Sequence, residues 1–343
     1  MLEVHNNVSV KDLTSFKIGG QAKFFAVARN LDEIKEAIVS AKSLETKLFV
    51  LGGGSNIIFS DDILDLYILK PEIFGFEIVK DEKDFSVIKI GATENWDEVV
   101  SRTVELELSG IEAMSAIPGT VGATPVQNVG AYGQEIKDTL VEVEVLDTKD
   151  ENIKILSNAD CDFRYRDSIF KSREKGRYII LNVTLKLSKF PPKVPEYPGV
   201  EKYFSEKDIH VPSLKEIRNA IIYIRRSKLP DPSIIPNCGS FFENPIIDRV
   251  LAQGIKARFP DMKYFDLPDG TVKVPAGWLV EKVGFKGQMI GNGKIKVHPD
   301  NALVLTNIGD ATFSDLIQAR DEIISKVNEM FGIVLEMEPN IVK

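Results

Sequence analysis

The apolar positions of this chain fall into helical and strand periods that interrupt one another without strict alternation. Asn30, with Glu33 three residues on, opens a run in which Leu31, Ile34, Ala37, Ile38 and Ala41 share one face. That is the 3.6-residue pattern of an amphipathic helix behind a capping box. Asn95 with Glu98 repeats the signature ahead of Trp96–Leu108, and Ser213 with Glu216 repeats it ahead of Leu214, Ile217, Ile221 and Ile224. Thr312 with Asp315 begins a last long helix on Leu316, Ala319, Ile323, Val327 and Met330, and Gly332 stands where a left-handed C-terminal glycine would close it. Ile246–Phe259 also reads as helix. Strand patterns cover Lys47–Leu51, much of Tyr67–Ile90, Leu140–Asp147, Asn152–Leu156 and Tyr178–Leu187. Val274–Gly293 reads as glycine-rich strand and loop, and Ile333–Glu338 as a strand with Glu336 and Glu338 on one side. The class these runs define is α+β.

One stretch obeys neither period. Ser109–Gly133 carries Gly110, Gly119, Gly122, Gly130 and Gly133 together with Pro118 and Pro125. Glycine permits positive φ and close backbone approach, and proline fixes φ and removes a donor. Such a segment is either a disordered linker or a main-chain cradle for a ligand. A linker would be hydrophilic, whereas Ile111, Met114, Ile117, Val121, Val126 and Val129 lace this one and predict burial. Buried irregular backbone must satisfy its polar groups, and a large polar cofactor is one partner that does so. A second glycine turn, Gly52-Gly53-Gly54-Ser55-Asn56, follows the short strand at Lys47–Leu51. It is a phosphate-binding turn or only a tight connection. It is neither a G-x-G-x-x-G entering a helix nor a Walker loop.

Composition narrows the classes. The net charge of −8, with no basic stripe, argues against a nucleic-acid partner. No apolar run reaches the ~20 residues of a spanning helix, and the first ten residues lack a signal-peptide pattern. The two cysteines, Cys161 and Cys238, suit a reducing compartment, so a soluble cytoplasmic protein is expected. His5, His210 and His298 show no metal-ligand spacing, and no metal is expected. Lys189–Gly199 holds four prolines and is the best linker candidate.

In order along the chain, LGGGSN, SGIEAMSAIPGTVGATPVQNVGAYG, FRYRDSIFK, NCGSFFENP, VKVPAGWLVE and a closing LEME together resemble the UDP-N-acetylenolpyruvoylglucosamine reductases, of the longer type with a tyrosine loop. The resemblance implies a vanillyl-alcohol-oxidase/PCMH-type FAD-binding fold followed by a smaller α+β substrate-binding domain. It implies an FAD-binding region at 1–190 (two subdomains, 1–66 and 67–190) and a linker and substrate loop at 191–228. A substrate domain at 229–330 and a C-terminal strand carrying the catalytic acid at 331–343 complete the expected order. The implied activity is NADPH-dependent reduction of a UDP-sugar enolpyruvyl ether through non-covalent FAD, in peptidoglycan precursor synthesis, by a monomer.

The family reaction adds hydride from the flavin N5 to a vinyl carbon conjugated to a carboxylate. It therefore needs groups that stabilise an enolate-like charge and an acid for the adjacent carbon. By resemblance Arg166 stabilises that charge, Ser240 donates the proton and Glu338 assists at the carboxylate. To hydrogen-bond a carboxylate, Glu338 would have to be protonated. Each has a plainer reading: an ion pair of Arg166 with Asp162 or Asp167, a turn serine, and a solvated strand edge. Cys238 as an alternative donor matches no functional position and reads as a small buried residue. Gly53, Gly54, Ser55 and Asn56 fit the FAD pyrophosphate, as do Ser115, Ala116, Ile117, Pro118, Gly119 and Thr120. Gln127, Asn128, Gly130, Ala131 and Tyr132 would approach the flavin end. Tyr197 and Lys228 come over as ligands of the UDP part, with Asn244 and Lys273 as further substrate-side residues. Two competing readings are a carbohydrate oxidase of the same broad fold, which often tethers flavin through His or Cys, and a non-enzymatic sugar-nucleotide binder. The cradle has neither tether, and a binder needs no proton donor.

Overall fold

The computed structural model describes residues 2–343 and divides into two compact units, neither contiguous in sequence. The first takes the residues up to Val8, Ala22–Gly53 and Asp65–Ser227; the second takes Ser9–Gln21, Gly54–Leu64 and Lys228–Lys343. The two early segments of the second unit are not anticipated by sequential boundaries.

The first unit holds two sheets. Strands Val4–Ser9, Gln21–Ala28, Ile63–Pro71 and Lys47–Val50 lie in that order, the last pair parallel. Helix α1 (Leu31–Ser43) buries Ile34, Ala37, Ile38 and Ala41 with Ala26, Tyr67 and Leu69 of this sheet. The Asn30 side chain accepts the Glu33 N–H, as the capping pattern predicts. The second sheet orders Ile153–Ser157, Leu140–Asp147, Tyr178–Ser188, Phe85–Gly91 and Phe76–Asp81, all antiparallel. Helix α2 (Trp96–Glu105), capped by Asn95, packs Trp96, Val99 and Val100 with Ile88, Val143 and Val183 of that sheet. Trp96 is fully buried, and its indole N–H donates to the Met114 carbonyl at 3.1 Å. One side chain thus fills the core and ties α2 to the glycine-rich stretch. Truncating such a side chain costs about 3–5 kcal/mol. The Lys189–Gly199 segment leads into α3 (Pro198–Glu206), with Pro198 at its first turn, and then α4 (Leu214–Lys228). Val200, Phe204, Ile217, Ile221 and Ile224 form a small core between these two helices.

The second unit centres on α7 (Phe313–Phe331), reached after α5 (Arg249–Arg258) and α6 (Ala276–Lys282). Thr312 and Asp315 make a reciprocal capping box, and Gly332 closes the helix at φ 68°. Its buried face runs Leu316, Ala319, Ile323, Val327 and Phe331; Met330, expected on that face, is instead 36% exposed in the last turn. Beside it lies a sheet of Asn237–Ser240, Val304–Asn307, Ile295–Val297 and Met289–Ile290. Phe16, Ile18 and Ile58 from the early segments join this core.

Three expectations need correction. Ile246 and Ile247 pair with Val272 and Lys273 in a strand, so the helix starts only at Arg249, after Asp248. The 274–293 segment contains α6, whose buried Ala276, Leu279 and Val280 were masked by neighbouring glycines. Ile333–Glu336 alternates in burial as an extended chain should, but among the described residues the one bridge of the 333–338 segment is Met337 with Phe242. The laddered strand is Asn340–Val342, parallel to Ile57–Phe59.

Candidate active site

In the first unit the site begins with the glycine-rich stretch, which is irregular and, apart from Pro118, Ala123 and Gly133, buried or half-buried, with short 3₁₀ turns at Glu112–Met114 and Val121–Ala123. The Gly52-Gly53 turn comes against it. A Cβ on Gly53 would lie 3.0 Å from the Gly119 Cα, and one on Gly52 would lie 3.0 Å from the Thr120 hydroxyl. Only residues without side chains allow the two loops so near. Gly119 itself sits at φ 122°. The main-chain N–H groups of Gly53, Ile117 and Gly119 donate to no backbone carbonyl among the described residues. Such N–H groups are what an oxygen-rich pyrophosphate recognises. The cradle therefore fits a dinucleotide cofactor on its own geometry.

Not every cradle residue offers its side chain. The Ser115 hydroxyl donates to the Glu112 carbonyl at 2.6 Å. Asn128 is fully buried and donates to Glu135 and to the Arg164 carbonyl, each at 3.0 Å, while accepting from Lys137 N–H. Its amide staples loops together, and its own N–H donates to the Pro125 carbonyl at 3.4 Å, so Asn128 shapes the stretch rather than offering it donors. Ala116 lies at φ 59°, Asn128 at 45° and Tyr132 at 51°. Left-handed non-glycine residues clustered along one stretch are a mark of functional backbone. Tyr197 meets Tyr132 edge to face with ring centroids 5.0 Å apart, so the substrate-loop candidate touches a flavin-end candidate. Burial pushes the Tyr132 phenol upward, opposed by the charge of Arg225.

Arg166 occupies a tight turn. Arg164 and Asp167 exchange backbone hydrogen bonds at 3.0 and 3.3 Å, which places Tyr165 and Arg166 at the tip with Arg166 at φ 54°. The Ser168 hydroxyl anchors the turn by donating to the Val126 carbonyl at 2.6 Å. The Arg166 guanidinium then donates to the Gly130 carbonyl at 3.1 Å. Asp162 pairs with Arg164, not with Arg166.

In the second unit, Ser55 and Asn56 belong to the Gly54–Leu64 segment. The Asn56 amide donates to the Glu338 carbonyl at 3.2 Å. Gly54, at φ 65°, packs so near the Leu13 carbonyl that a Cβ would fall 2.0 Å from it. Ser240 ends the strand Asn237–Ser240 opposite Val304, and Gly239 before it takes φ 74°. Glu338 is half-buried and is held beside this strand by its N–H on the Phe241 carbonyl at 3.0 Å. The structure thus brings together Ser240 and Glu338, whose sequence motifs lie far apart. Cys238 is buried, and burial, then the nearby Glu338 charge, push its thiol well above the ordinary range. The Asn244 side-chain oxygen caps α6 by accepting the Ala276 N–H at 2.9 Å. Lys273 is half-buried in its short strand, and Lys228 is exposed at the end of α4.

Sequence reading passed over Asp97, Arg218 and Arg225. Arg218 grips both Asp97 oxygens, at 2.5 and 3.0 Å, and the same carboxylate accepts the Ala116 N–H at 2.6 Å. Arg225 donates to the Ala116 carbonyl at 3.3 Å. Burial would raise the Asp97 carboxyl, but the hydrogen bonds from Arg218 and Ala116 outweigh it and hold it below the usual range.

Residues 22–157 match the model of an FAD-binding domain. With the cradle, this defines the class: an FAD-dependent oxidoreductase of mixed α and β structure, with a smaller α+β C-terminal domain. Residues 231–342 match the C-terminal domain of UDP-N-acetylenolpyruvoylglucosamine reductase. The chain is 41% identical to the UDP-N-acetylenolpyruvoylglucosamine reductase of Flavobacterium johnsoniae over 342 residues, covering 99% of this chain and 100% of that one. It is 38% identical to that of Pseudomonas aeruginosa over 340 residues, covering 99% of each. The solved reductase of Thermus caldophilus shares the fold across 100% of both chains, with a TM-score of 0.68 at 22% identity. The chain belongs to the UDP-N-acetylenolpyruvoylglucosamine reductase family. Among the described residues no helix is long and apolar enough to cross a membrane.

Proposed function

We propose that this protein reduces UDP-N-acetylglucosamine enolpyruvate to UDP-N-acetylmuramate, with NADPH as the reductant, in the cytoplasmic synthesis of peptidoglycan precursors. Bound FAD supplies the hydride relay between the two substrates. The observation that carries the reading is the Arg166 turn, which fixes a guanidinium against the Gly130 carbonyl of the flavin cradle. A guanidinium held there, always charged and with a forked set of donors, is suited to a carboxylate whose charge grows during reaction. Ser240 holds the proton for the carbon next to that carboxylate. Glu338, registered beside the Ser240 strand through Phe241, polarises the carboxylate or supports the protonation. Gly53, Ile117 and Gly119 hold the cofactor's pyrophosphate by main-chain N–H groups. Tyr197 and Lys228 hold the uridine diphosphate, with Lys273 and the Asn244 amide as further contacts. The cradle contains no His or Cys to tether the flavin, which supports non-covalent binding.

The test is anaerobic. NADPH should bleach the visible flavin spectrum of the purified protein, and the enolpyruvyl UDP-sugar should restore it without oxygen. Restoration by dioxygen alone, or flavin that stays attached after denaturation, would sink this reading in favour of a carbohydrate oxidase.

A further inference from the structure

Ala116 is the residue at which the chain leaves the 3₁₀ turn at Glu112–Met114 and enters the cradle, and it does so at φ 59°. A residue with a Cβ resists that conformation, so the surroundings must hold it there. Both of its peptide groups are pinned. Its N–H donates to Asp97 at 2.6 Å, and its carbonyl accepts from Arg225 at 3.3 Å. Asp97 stands in the first turn of α2, and the bidentate grip of Arg218 fixes its rotamer. Arg218 is only 13% exposed. Arg218 and Arg225 lie on α4, two turns apart, so one helix presents both arms.

We propose that Asp97, Arg218 and Arg225 are positioning residues that hold Ala116 in its left-handed conformation and so preshape the cradle whose Ile117 and Gly119 N–H groups receive FAD. Without the clamp, Ala116 relaxes to an ordinary conformation and FAD must restore it on binding, at a loss of affinity. Glycine needs no such hold, since it adopts positive φ as readily as negative. The inference rests on the flavin cradle and not on the catalytic roles proposed above, so its test uses no substrate.

Apoprotein is titrated with FAD, following the quenching of flavin fluorescence, and the melting of each apoprotein is recorded alongside. Asp97→Ala should weaken FAD binding about tenfold, the size of penalty a left-handed non-glycine residue carries. Adding Ala116→Gly should bring affinity back to within about threefold of wild type, since glycine removes that penalty. A purely structural role, docking α4 on α2, would give no rescue. Should Asp97→Ala fail to fold, Arg218→Met leaves the carboxylate in place but unheld and serves the same comparison. An Asp97→Ala or Arg218→Met protein with unchanged FAD affinity, or one that Ala116→Gly does not rescue, overturns the proposal.

Discussion

Glu338 donates its main-chain N–H to the carbonyl of Phe241 at 3.0 Å, and Met337 bridges Phe242. Phe241 directly follows Ser240. The candidate acid and the candidate proton donor are therefore registered by backbone contacts, which survive changes to either side chain. Glu338→Gln should leave flavin content and melting temperature near wild type and lower the rate of the enolpyruvyl half-reaction by about 10²–10³-fold. Rapid-mixing traces of flavin reoxidation check this. A rate within a few-fold of wild type would remove Glu338 from the chemistry.

Ser240→Ala separates the two half-reactions differently. Flavin reduction by NADPH needs no proton on a substrate carbon, so it should stay close to wild type. Reoxidation by the enolpyruvyl substrate should slow by about 10²–10⁴-fold, the usual contribution of a positioned acid. Equal damage to both halves would refute the assigned role.

Gly119→Ala should act on the cofactor. At φ 122° an alanine is strained whatever the space around it, and the Gly53–Gly119 approach leaves little room to shift. Flavin content after purification should fall. Turnover per bound flavin should fall less, and an absorbance ratio at the flavin and protein bands gives the first quantity. Full flavin content with dead turnover would contradict the cradle assignment.

The two thiols should be inert. Burial, with Asp160 adding to it, pushes Cys161 up to about 12, and Cys238 is shifted upward in the same direction. A raised thiol pKa keeps the sulfur neutral through pH 8, and the thiolate is the reactive form. A chromogenic disulfide reagent should react with neither cysteine in native protein within minutes, and with both after denaturation. Rapid native labelling of Cys238 would mean that the strand carrying Ser240 opens readily.

Asp147 predicts an acid limb of stability. Its side chain is fully buried, gripped by Arg177 through bonds of 2.7–3.1 Å and by Lys154 at 2.6 Å. The Arg177 bonds come first in holding its carboxyl well below the ordinary range; burial opposes them and Lys154 assists. A depressed folded-state pKa contributes stability above the unfolded value of about 3.9, and loses it as pH falls through the folded value. Asp147→Asn should therefore cost on the order of 2 kcal/mol at neutral pH, leaving buried donors poorly matched. The gap to wild type should narrow below about pH 4, read as urea midpoints across pH 2–7. A gap independent of pH would show that packing, not charge, carries the effect.

The helices α1, α2, α4 and α7 were legible because a cap and its partner three residues on are local signals, and each is realised by hydrogen bonds at Asn30, Asn95, Ser213 and Thr312. Helices α3 and α6 were not, because they are short and begin at prolines whose neighbours read as loop. In the tail the alternation of burial is real, yet alternation does not say whether a strand has a partner. The glycine motifs announced the cradle, since close approach demands residues without side chains. The clamp on Ala116 did not announce itself: Asp97 and Arg218 are 121 residues apart, and an ion pair across that distance leaves no spacing to read.

The parallel pairing of Asn340–Val342 with Ile57–Phe59 bears on how the chain is made. Asn56 and Glu338, held to each other beside that ladder, are 282 residues apart in the order of synthesis. A ribosome adding about 5–20 residues per second leaves the earlier strand without its mate for roughly a quarter of a minute or longer. An unpaired apolar edge is an invitation to the wrong neighbour. Ile57-Ile58-Phe59 is thus an apolar stretch that the nascent chain must keep from other partners until its own is made.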